Sequence, residues 1–165
     1  MTRIVRYFED LPPGTVLELG EVEVSEAEIL EFARRYDPQP FHLDPVAARD
    51  SIFGGLCASG WHTAAMQMRL LVDGLLAPET SLGSPGIDEI RWMKPVFPGD
   101  RLRLRVTITE ATASRSKPFM GSVIQHSEML NQHGQVVMSL KAIGLFRRRP
   151  VVTATATEAA PQANP

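Results

Sequence analysis

The sequence feature that most constrains the fold is a strictly alternating run, RLRLRVTIT, over residues 101–109. Its even-numbered positions are the apolar residues Leu102, Leu104, Val106 and Ile108. In an extended chain these side chains share one face, and the charged or hydroxyl-bearing residues between them share the other. The run therefore predicts a β-strand with one face on a core and the other in solvent, which is typical of antiparallel sheets.

Further strands are predicted on both sides of this run. The Pro-Gly-Asp sequence at 98–100 is typical of a turn and follows a predicted strand at 87–96. Segments 121–130 and 135–146 flank the sequence Asn-Gln-His-Gly, which has Asn and Gly where hairpin loops favour them. An opening strand is predicted within 11–24, after a Pro-Pro-Gly turn.

A first helix is predicted to begin after Ser25, because Ser25 and Glu28 have the spacing of a capping box. Its apolar face comprises Ile29, Phe32, Ala33 and Tyr36. The helix is expected to end at Tyr36, because Asp37 and Gln39 each precede a proline, a position that disfavours helical dihedral angles. The segment DPQPFH, residues 37–42, is therefore predicted to be a stiff, extended loop.

A second and longer helix is predicted from about Gly60 to Leu76. Apolar residues cover most of its circumference, which predicts a largely buried helix. Only Gln67, Arg69 and Asp73 are expected at the surface, the last two as an i,i+4 ion pair. Several long antiparallel strands after one buried helix predict an α+β fold in which a curved sheet wraps around that helix.

Composition and charge favour one soluble globular domain. The chain has 165 residues, of which 44% are hydrophobic and 22% are charged. The domain is predicted to span residues 1–149, and residues 150–165, which have no periodicity, are predicted to be a disordered tail. A formal net charge of −2 gives no electrostatic basis for binding nucleic acid or an anionic membrane. The basic run at 147–149 is interpreted as a solvated strand exit.

The sequence also predicts a reducing, cytoplasmic compartment. Cys57 is the only cysteine, so no intrachain disulfide can form, and we expect it to be a small buried hydrophobe. The first ten residues carry arginines and acidic residues and lack the apolar core of a signal peptide. The longest apolar stretch, at 64–76, is interrupted by polar residues and is too short to span a bilayer.

Asp37 and His42 are the strongest catalytic candidates. They lie five residues apart on the proline-stiffened segment, where a carboxylate and an imidazole can each hold one side of a water molecule. Such a pair can donate and accept protons in one step. The alternative is an ordinary Asx turn beside a surface histidine, and spacing alone favours that alternative.

Ser59 and Gly60, at the start of the second predicted helix, are candidates for binding a substrate oxygen. The first N–H groups of a helix lack partners and carry partial positive charge, and a glycine lets an oxygen approach without meeting a Cβ. This combination suits an oxyanion hole. The alternative is that Ser59 is simply the N-cap and Gly60 a packing residue.

The histidines outside the predicted loop give no further site. His62 lies in the first turn of the second helix, where packing is favoured over pocket lining. His126 and His133 are not spaced as a pair of metal ligands, so no metal site is predicted.

Two segments, YDPQPFHLDPVAA and FGGLCASGWHTAA, resemble the signature of MaoC-like dehydratases and R-specific enoyl-CoA hydratases. That signature runs Asp, any residue, Asn, Pro, apolar, His, then an acidic-Pro-Ala stretch and a glycine that opens the central helix. The matching residues are Asp37, Pro40, His42, Asp44, Pro45 and Gly60. RWMKPVFPGDRL, at 91–102, resembles the strand and turn that follow in the same family, and the resemblance extends over roughly residues 8–146.

The resemblance implies a hotdog fold and the reversible addition of water to a 2-enoyl thioester. The thioester carbonyl would bind the Gly60 N–H, while Asp37 and His42 deliver water to C3 and a proton goes to C2. Asp44 would stabilise the loop. The substrate would be an acyl-CoA or an acyl-carrier thioester, with no separate cofactor. A homodimer or higher homo-oligomer would cover an exposed sheet edge and close the acyl channel.

Four residues depart from the family pattern. Gln39 replaces the signature Asn, Tyr36 stands where many members have Gly, and Ser59 stands where hydratases commonly carry His. Met68 occupies a helix position where some hydratases carry Ser. The changes at Tyr36 and Met68 affect the expected size and polarity of the pocket, and therefore the substrate.

Two other functions remain open at this point. Hotdog thioesterases use a carboxylate and a helix N-terminus on the same fold, and a non-catalytic acyl-thioester-binding subunit could keep the fold alone. The pairing of Asp37 with His42 favours the hydratase over both.

Overall fold

The computed structural model describes residues 4–150, so the tail predicted at 150–165 lies, except for its first residue, outside the described residues. The described chain starts with a 3₁₀ turn at Phe8–Asp10 and continues with strands and α-helices. The strands are β1 (Val16–Glu23), β2 (Gly86–Trp92), β3 (Arg101–Ala113), β4 (Met120–Leu130) and β5 (Val136–Arg147). The helices are α1 (Glu26–Tyr36), α2 (Pro40–Leu43), α3 (Pro45–Arg49) and α4 (Gly60–Gly74).

The strands form one antiparallel sheet in the order β1-β3-β4-β5-β2. Each of these four pairings contains one register shift, and such bulges bend a strand and increase its twist. The predicted strands are confirmed, although β2 ends at Trp92 instead of residue 96. The connection from β4 to β5 turns at Gly134, whose φ of +72° favours glycine.

The core lies between one face of this sheet and α4. The four alternating apolar residues of β3 have no exposed surface, which confirms the pattern read from the sequence. They join a cluster that includes Met66, Leu70 and Leu71 of α4. Truncating one such leucine to alanine typically costs 2–5 kcal/mol, so this contact between sheet and helix contributes much of the stability.

The orientation of α4 differs from the prediction. Gln67, expected at the surface, is only 2% exposed, whereas Met68 is 47% exposed. The physical reason is that Gln67 lies one turn from the buried Thr63 and Leu71, on the side that meets the sheet. The outward side does carry the predicted pair of Arg69 with Asp73, in which Nε and Oδ2 are 2.8 Å apart. Within residues 4–150, no helix is long and apolar enough to cross a membrane.

The first helix begins as predicted, since Ser25 Oγ accepts from the Glu28 N–H at 3.4 Å. Ile29 and Ala33 are buried on its apolar face. Tyr36 is not part of that buried face, because 70% of its surface is exposed. Tyr36 was assigned to the buried face because the apolar pattern of α1 continues as far as this residue. The last turn of the helix extends beyond the part that packs against other elements.

The segment after α1 is only partly the extended loop that was predicted. Asp37–Gln39 is non-helical, but Pro40 starts the short helix α2, which carries His42. A proline at the first helical position loses no hydrogen bond, and its fixed φ suits a helix. Pro45 starts α3 in the same way, and Asp44 caps that helix by accepting from the N–H groups of Val46 and Ala47 at 2.7 and 3.3 Å. Asp44 therefore stabilises the loop, as expected.

The basic run at the end of β5 is more than a solvated strand exit. Arg148 Nε lies 3.0 Å from a carboxylate oxygen of Glu9, and Arg149 is paired with Asp10. The 3₁₀ turn brings these two acidic residues beside the end of β5. The ion pairs thus connect the two ends of the described chain.

Candidate active site

The structure brings Asp37 and His42 together. Asp37 directly follows α1, and the turn of α2 places His42 back beside it, so that His42 Nε2 lies 3.4 Å from Asp37 Oδ2. The His42 side chain is 7% exposed and that of Asp37 is 19% exposed. A nearly buried imidazole beside a partly exposed carboxylate is an arrangement that can hold and deprotonate a small polar molecule.

A backbone contact defines the proton position on His42. His42 Nδ1 lies 2.7 Å from the carbonyl oxygen of Cys57. A carbonyl only accepts hydrogen bonds, so Nδ1 must carry a hydrogen. The neutral imidazole therefore has its lone pair on Nε2, the nitrogen next to Asp37. Phe41, edge-on to the imidazole at a centroid distance of 4.6 Å, restricts the ring further.

Two side chains hold the Asp37 carboxylate. Gln39 Nε2 donates to Oδ1 at 2.6 Å, and Ser59 Oγ donates to Oδ2 at 2.7 Å. Burial raises the pKa of the Asp37 carboxyl, but the hydrogen bonds from Gln39 and Ser59, with the charge of a protonated His42, outweigh it. The pKa of Asp37 is therefore lower than usual, and the group is ionised at neutral pH.

Ser59 has one of the two roles considered from the sequence, that of N-cap, together with a contact that was not predicted. It is the N-cap of α4, since its Oγ accepts from the Trp61 N–H at 3.2 Å. Its single hydroxyl hydrogen is directed to Asp37 instead of to the cavity. Sequence reasoning missed this contact because Ser59 and Asp37 are 22 residues apart in the chain.

Gly60 lies in the cavity wall at the first position of α4. No described residue accepts a hydrogen bond from its N–H, as expected at a helix N-terminus. A Cβ added at Gly60 would lie 2.6 Å from the Trp92 ring, whose Nε1 donates to the Gly60 carbonyl at 2.8 Å. Trp92 thus leaves no room for a side chain at position 60. This supports the alternative in which glycine is needed at position 60 for packing.

The pair opens into a cavity of about 420 Å³. Its wall comprises Asp37, Gln39, Phe41, His42, Phe53, Cys57, Ala58, Gly60, Trp61, Thr63, Trp92, Met93, Lys94, Pro95 and Val96. Trp61 and Trp92 are half-exposed and meet edge to face with their ring centroids 5.2 Å apart. Sequence reasoning missed both aromatic residues and Phe53. A large aromatic residue within the strand predicted at 87–96 was the available signal for Trp92.

Two residues that depart from the family pattern lie outside this wall. Tyr36 borders a smaller cavity of about 200 Å³ between α1 and α4, together with His62. His62 is buried and stacks on Phe32 at a centroid distance of 5.0 Å, in agreement with the packing role predicted for it. Burial lowers the pKa of His62 despite the nearby Glu28. Met68 borders a third cavity, on the side of α4 that faces β5.

Cys57 is buried, as predicted, and lies in the wall of the cavity beside His42. Its Sγ is 3.7 Å from His42 Nδ1. Burial raises the pKa of the thiol to about 11. The thiol is therefore neutral at physiological pH and a poor nucleophile there, while the carbonyl of the same residue orients His42.

Comparison with known proteins agrees with this architecture. A family model described as the MaoC-like domain matches residues 9–128. The crystal structure of a MaoC-like dehydratase from Rhodospirillum rubrum is 44% identical, with a TM-score of 0.82, and the match covers 88% of this chain and 99% of that one. Protein MaoC from Klebsiella aerogenes is 30% identical over 113 residues, and mesaconyl-CoA hydratase from Cereibacter sphaeroides is 38% identical over 82 residues.

The two sequence relatives are longer proteins. The match covers 68% of this chain but 33% of Protein MaoC, and 48% of this chain but 24% of mesaconyl-CoA hydratase. By contrast, the Rhodospirillum rubrum chain matches over nearly its whole length. The predicted hotdog fold is confirmed by the antiparallel sheet, the helix packed on it and this match. Because the family model covers most of the described residues, the chain belongs to the MaoC-like dehydratase family.

Proposed function

We propose that the protein reversibly adds water to the double bond of a 2-enoyl thioester, with Asp37 and His42 as the water-binding pair. The observation that carries this proposal is the 3.4 Å distance between His42 Nε2 and Asp37 Oδ2 at the wall of the cavity. With Nδ1 protonated, Nε2 of neutral His42 and Oδ2 of ionised Asp37 are both acceptors. A water that donates one hydrogen to each satisfies both.

The contacts support different proposed roles for the two groups. His42 Nε2 is the base, because the lowered pKa of Asp37 makes the carboxylate a weak proton acceptor. Asp37 orients the water and stabilises the imidazolium that forms. The water oxygen bonds to C3 as its proton moves to Nε2, and the electron pair of the C2=C3 bond shifts towards the thioester oxygen. The proton on His42 then goes to C2, which restores the neutral imidazole.

Negative charge develops on the thioester oxygen during this step, and the Gly60 N–H is the proposed donor to it. The N–H lies at the start of a 15-residue helix, where the backbone carries partial positive charge. One such donor contributes roughly 2.7–4 kcal/mol of barrier lowering in other enzymes. Coenzyme A or a carrier protein enters this scheme only as part of the substrate.

The family relationship supports the hydratase class. Mesaconyl-CoA hydratase, by its name, hydrates an enoyl thioester, and its similarity to this chain motivates the same reaction class here. Water held by Asp37 and His42 could instead attack the thioester carbonyl, as in a thioesterase. The test is to follow two signals from one 2-enoyl-CoA: loss of the conjugated enoyl absorbance and release of free thiol. Hydration removes the first signal without producing the second, whereas rapid thiol release would contradict the proposal.

We also propose a homodimer that forms along strand β2. This strand is at one edge of the sheet, and apolar side chains are half-exposed on it and beside it: Met68, Ile87, Trp92 and Met93. A second copy on β2 would cover the apolar surface next to the cavity. Light scattering that gave only an 18.2 kDa species at micromolar concentration would contradict it.

A further inference from the structure

The cavity that Met68 borders lies between α4 and the sheet and has a volume of about 480 Å³. It is called the second cavity below. Its wall comprises Gln67, Met68, Leu71, Leu76, Ser81, Gly83, Ser84, Gly86, Ile87, Gln125, Leu140, Ala142, Ile143, Gly144 and Phe146. Most of these residues are apolar, so the cavity suits a hydrocarbon chain. None of these described lining residues is ionisable. The cavity is therefore a poor environment for a charged group.

Two buried glutamines interrupt this apolar wall. Gln67, on α4, is 2% exposed, and Gln125, on β4, is 5% exposed. Gln67 Nε2 and Gln125 Oε1 have no hydrogen-bond partner among the described residues. Buried polar atoms are rarely left unpaired, because each such atom loses its hydration without compensation. Together the two amides offer one free donor and one free acceptor at the same cavity.

Gln67 lies one helical turn from a residue of the candidate active-site cavity. Thr63, four residues earlier, lines the cavity that contains Asp37 and His42. Residues four apart on a helix are neighbours on one face, so the two cavities follow one another along the same side of α4. We take an acyl group whose thioester is bound near Gly60 to extend along this side of α4 towards Gln67.

We propose that the preferred substrate carries an uncharged hydrogen-bonding substituent, such as a hydroxyl, on the distal part of its acyl group, and that Gln67 and Gln125 bind it. The inference rests on the proposed function, since it assumes an acyl thioester at the Asp37–His42 site. A hydroxyl both accepts from Gln67 and donates to Gln125. A plain alkyl chain leaves both amides unpaired, and a carboxylate brings a charge that no lining residue neutralises.

The experiment compares pairs of 2-enoyl-CoA substrates of equal chain length, one ending in a methyl group and one in a hydroxyl, over a series of lengths. In the parent protein we expect kcat/KM to be at least about 10-fold higher for the hydroxyl member at the best length. Gln67→Leu and Gln125→Leu should each reverse that preference. Gln132→Leu, on the exposed β4–β5 turn, is the matched control and should retain it. Absence of any preference in the parent, or an unchanged ratio in both cavity variants, would overturn the proposal.

Binding of non-reactive analogues separates this inference from the proposed function. Saturated acyl-CoA pairs with and without the terminal hydroxyl cannot be hydrated, so the ligand-induced rise in melting temperature reports recognition alone. A larger rise with the hydroxyl analogue in the parent, lost in Gln67→Leu, supports the inference even if no enoyl thioester is hydrated. Equal rises would show that the two amides bind only each other or water, and the inference would fail. Gln67→Met, which keeps the side-chain length, replaces Gln67→Leu if that variant does not fold.

Discussion

Ser59 donates a hydrogen bond of 2.7 Å to Asp37 Oδ2, the same carboxylate oxygen that faces His42. Ser59 is 1% exposed and also caps α4, so its hydroxyl is fixed from two sides. At a position where the sequence resemblance leads one to expect histidine, this chain thus has a residue that holds the Asp37 carboxylate. In the proposed function Ser59 is a positioning residue, because it would act through Asp37.

Replacing Ser59 with alanine should raise the pKa of Asp37, because one of the hydrogen bonds that favour the ionised form is lost. The measurement is the pH dependence of the Asp37 carboxyl carbon NMR signal in the parent and in Ser59→Ala. We expect kcat to fall while KM stays nearly constant, since Ser59 does not line the cavity. Loss of the N-cap should cost about 1 kcal/mol of stability.

Ser59→Thr is the matched control, because it keeps a hydroxyl that can both donate to Asp37 and cap the helix. It should restore most of the parent pKa and turnover. If Ser59→Ala titrates at the same midpoint as the parent, the hydrogen bond does not influence the carboxylate and the positioning role is wrong.

The buried thiol of Cys57 should react slowly with alkylating agents in the folded protein. Its pKa of about 11 keeps it protonated near pH 8, where the thiolate is the reactive form. Thiolate forms more readily in the unfolded chain, whose cysteine pKa is about 8.5, so melting temperature should decrease as pH rises above that value. Mass spectrometry after timed exposure to iodoacetamide, with and without denaturant, checks the reactivity. Rapid labelling of the folded protein would contradict the burial described here.

The contact between Gly60 and Trp92 predicts a stability cost for any side chain at position 60. In Gly60→Ala the new Cβ would lie 2.6 Å from the indole ring, so Trp92 must move and its hydrogen bond to the Gly60 carbonyl is strained or lost. We expect a loss of about 1–3 kcal/mol in the free energy of unfolding, measured by urea denaturation.

The coupling between the two residues can be measured by a double-mutant cycle. In a Trp92→Ala background, Gly60→Ala should cost much less than in the parent, because the ring is absent. An equal cost in both backgrounds would mean that backbone conformation, and not Trp92, requires glycine.

Local patterns predicted much of the fold. The alternation in β3, the Ser25 cap of α1 and the turn at Gly134 each depend on a few neighbouring residues, and each is observed as predicted. The family signature also selected Asp37 and His42 as candidates, and the structure places these two side chains next to each other. The α-helical turn at Pro40 was missed because the prediction used only the residue before each proline, which disfavours helical dihedral angles. The proline itself suits the first position of a helix.

Contacts between distant parts of the chain could not be predicted in the same way. Ser59 and Asp37 are separated by 22 residues, and Trp92 and Gly60 by 32. Burial of Gln67 instead of Met68 depends on which side of α4 meets the sheet, and apolar periodicity alone did not distinguish these sides. The place of Gln67 in the otherwise apolar wall of the second cavity is therefore a property of the fold and not of any motif.

The most direct test of the central claim is the rate of enoyl-CoA hydration in Asp37→Asn and His42→Ala, measured by loss of enoyl absorbance with a substrate that the parent hydrates. Asp37→Asn keeps the size of the side chain but removes the charge, and His42→Ala removes the base. We expect each to lower kcat by about 10²-fold or more, while circular dichroism shows an intact fold. Turnover close to that of the parent in either folded variant would contradict the assignment of these two residues as the water-binding pair.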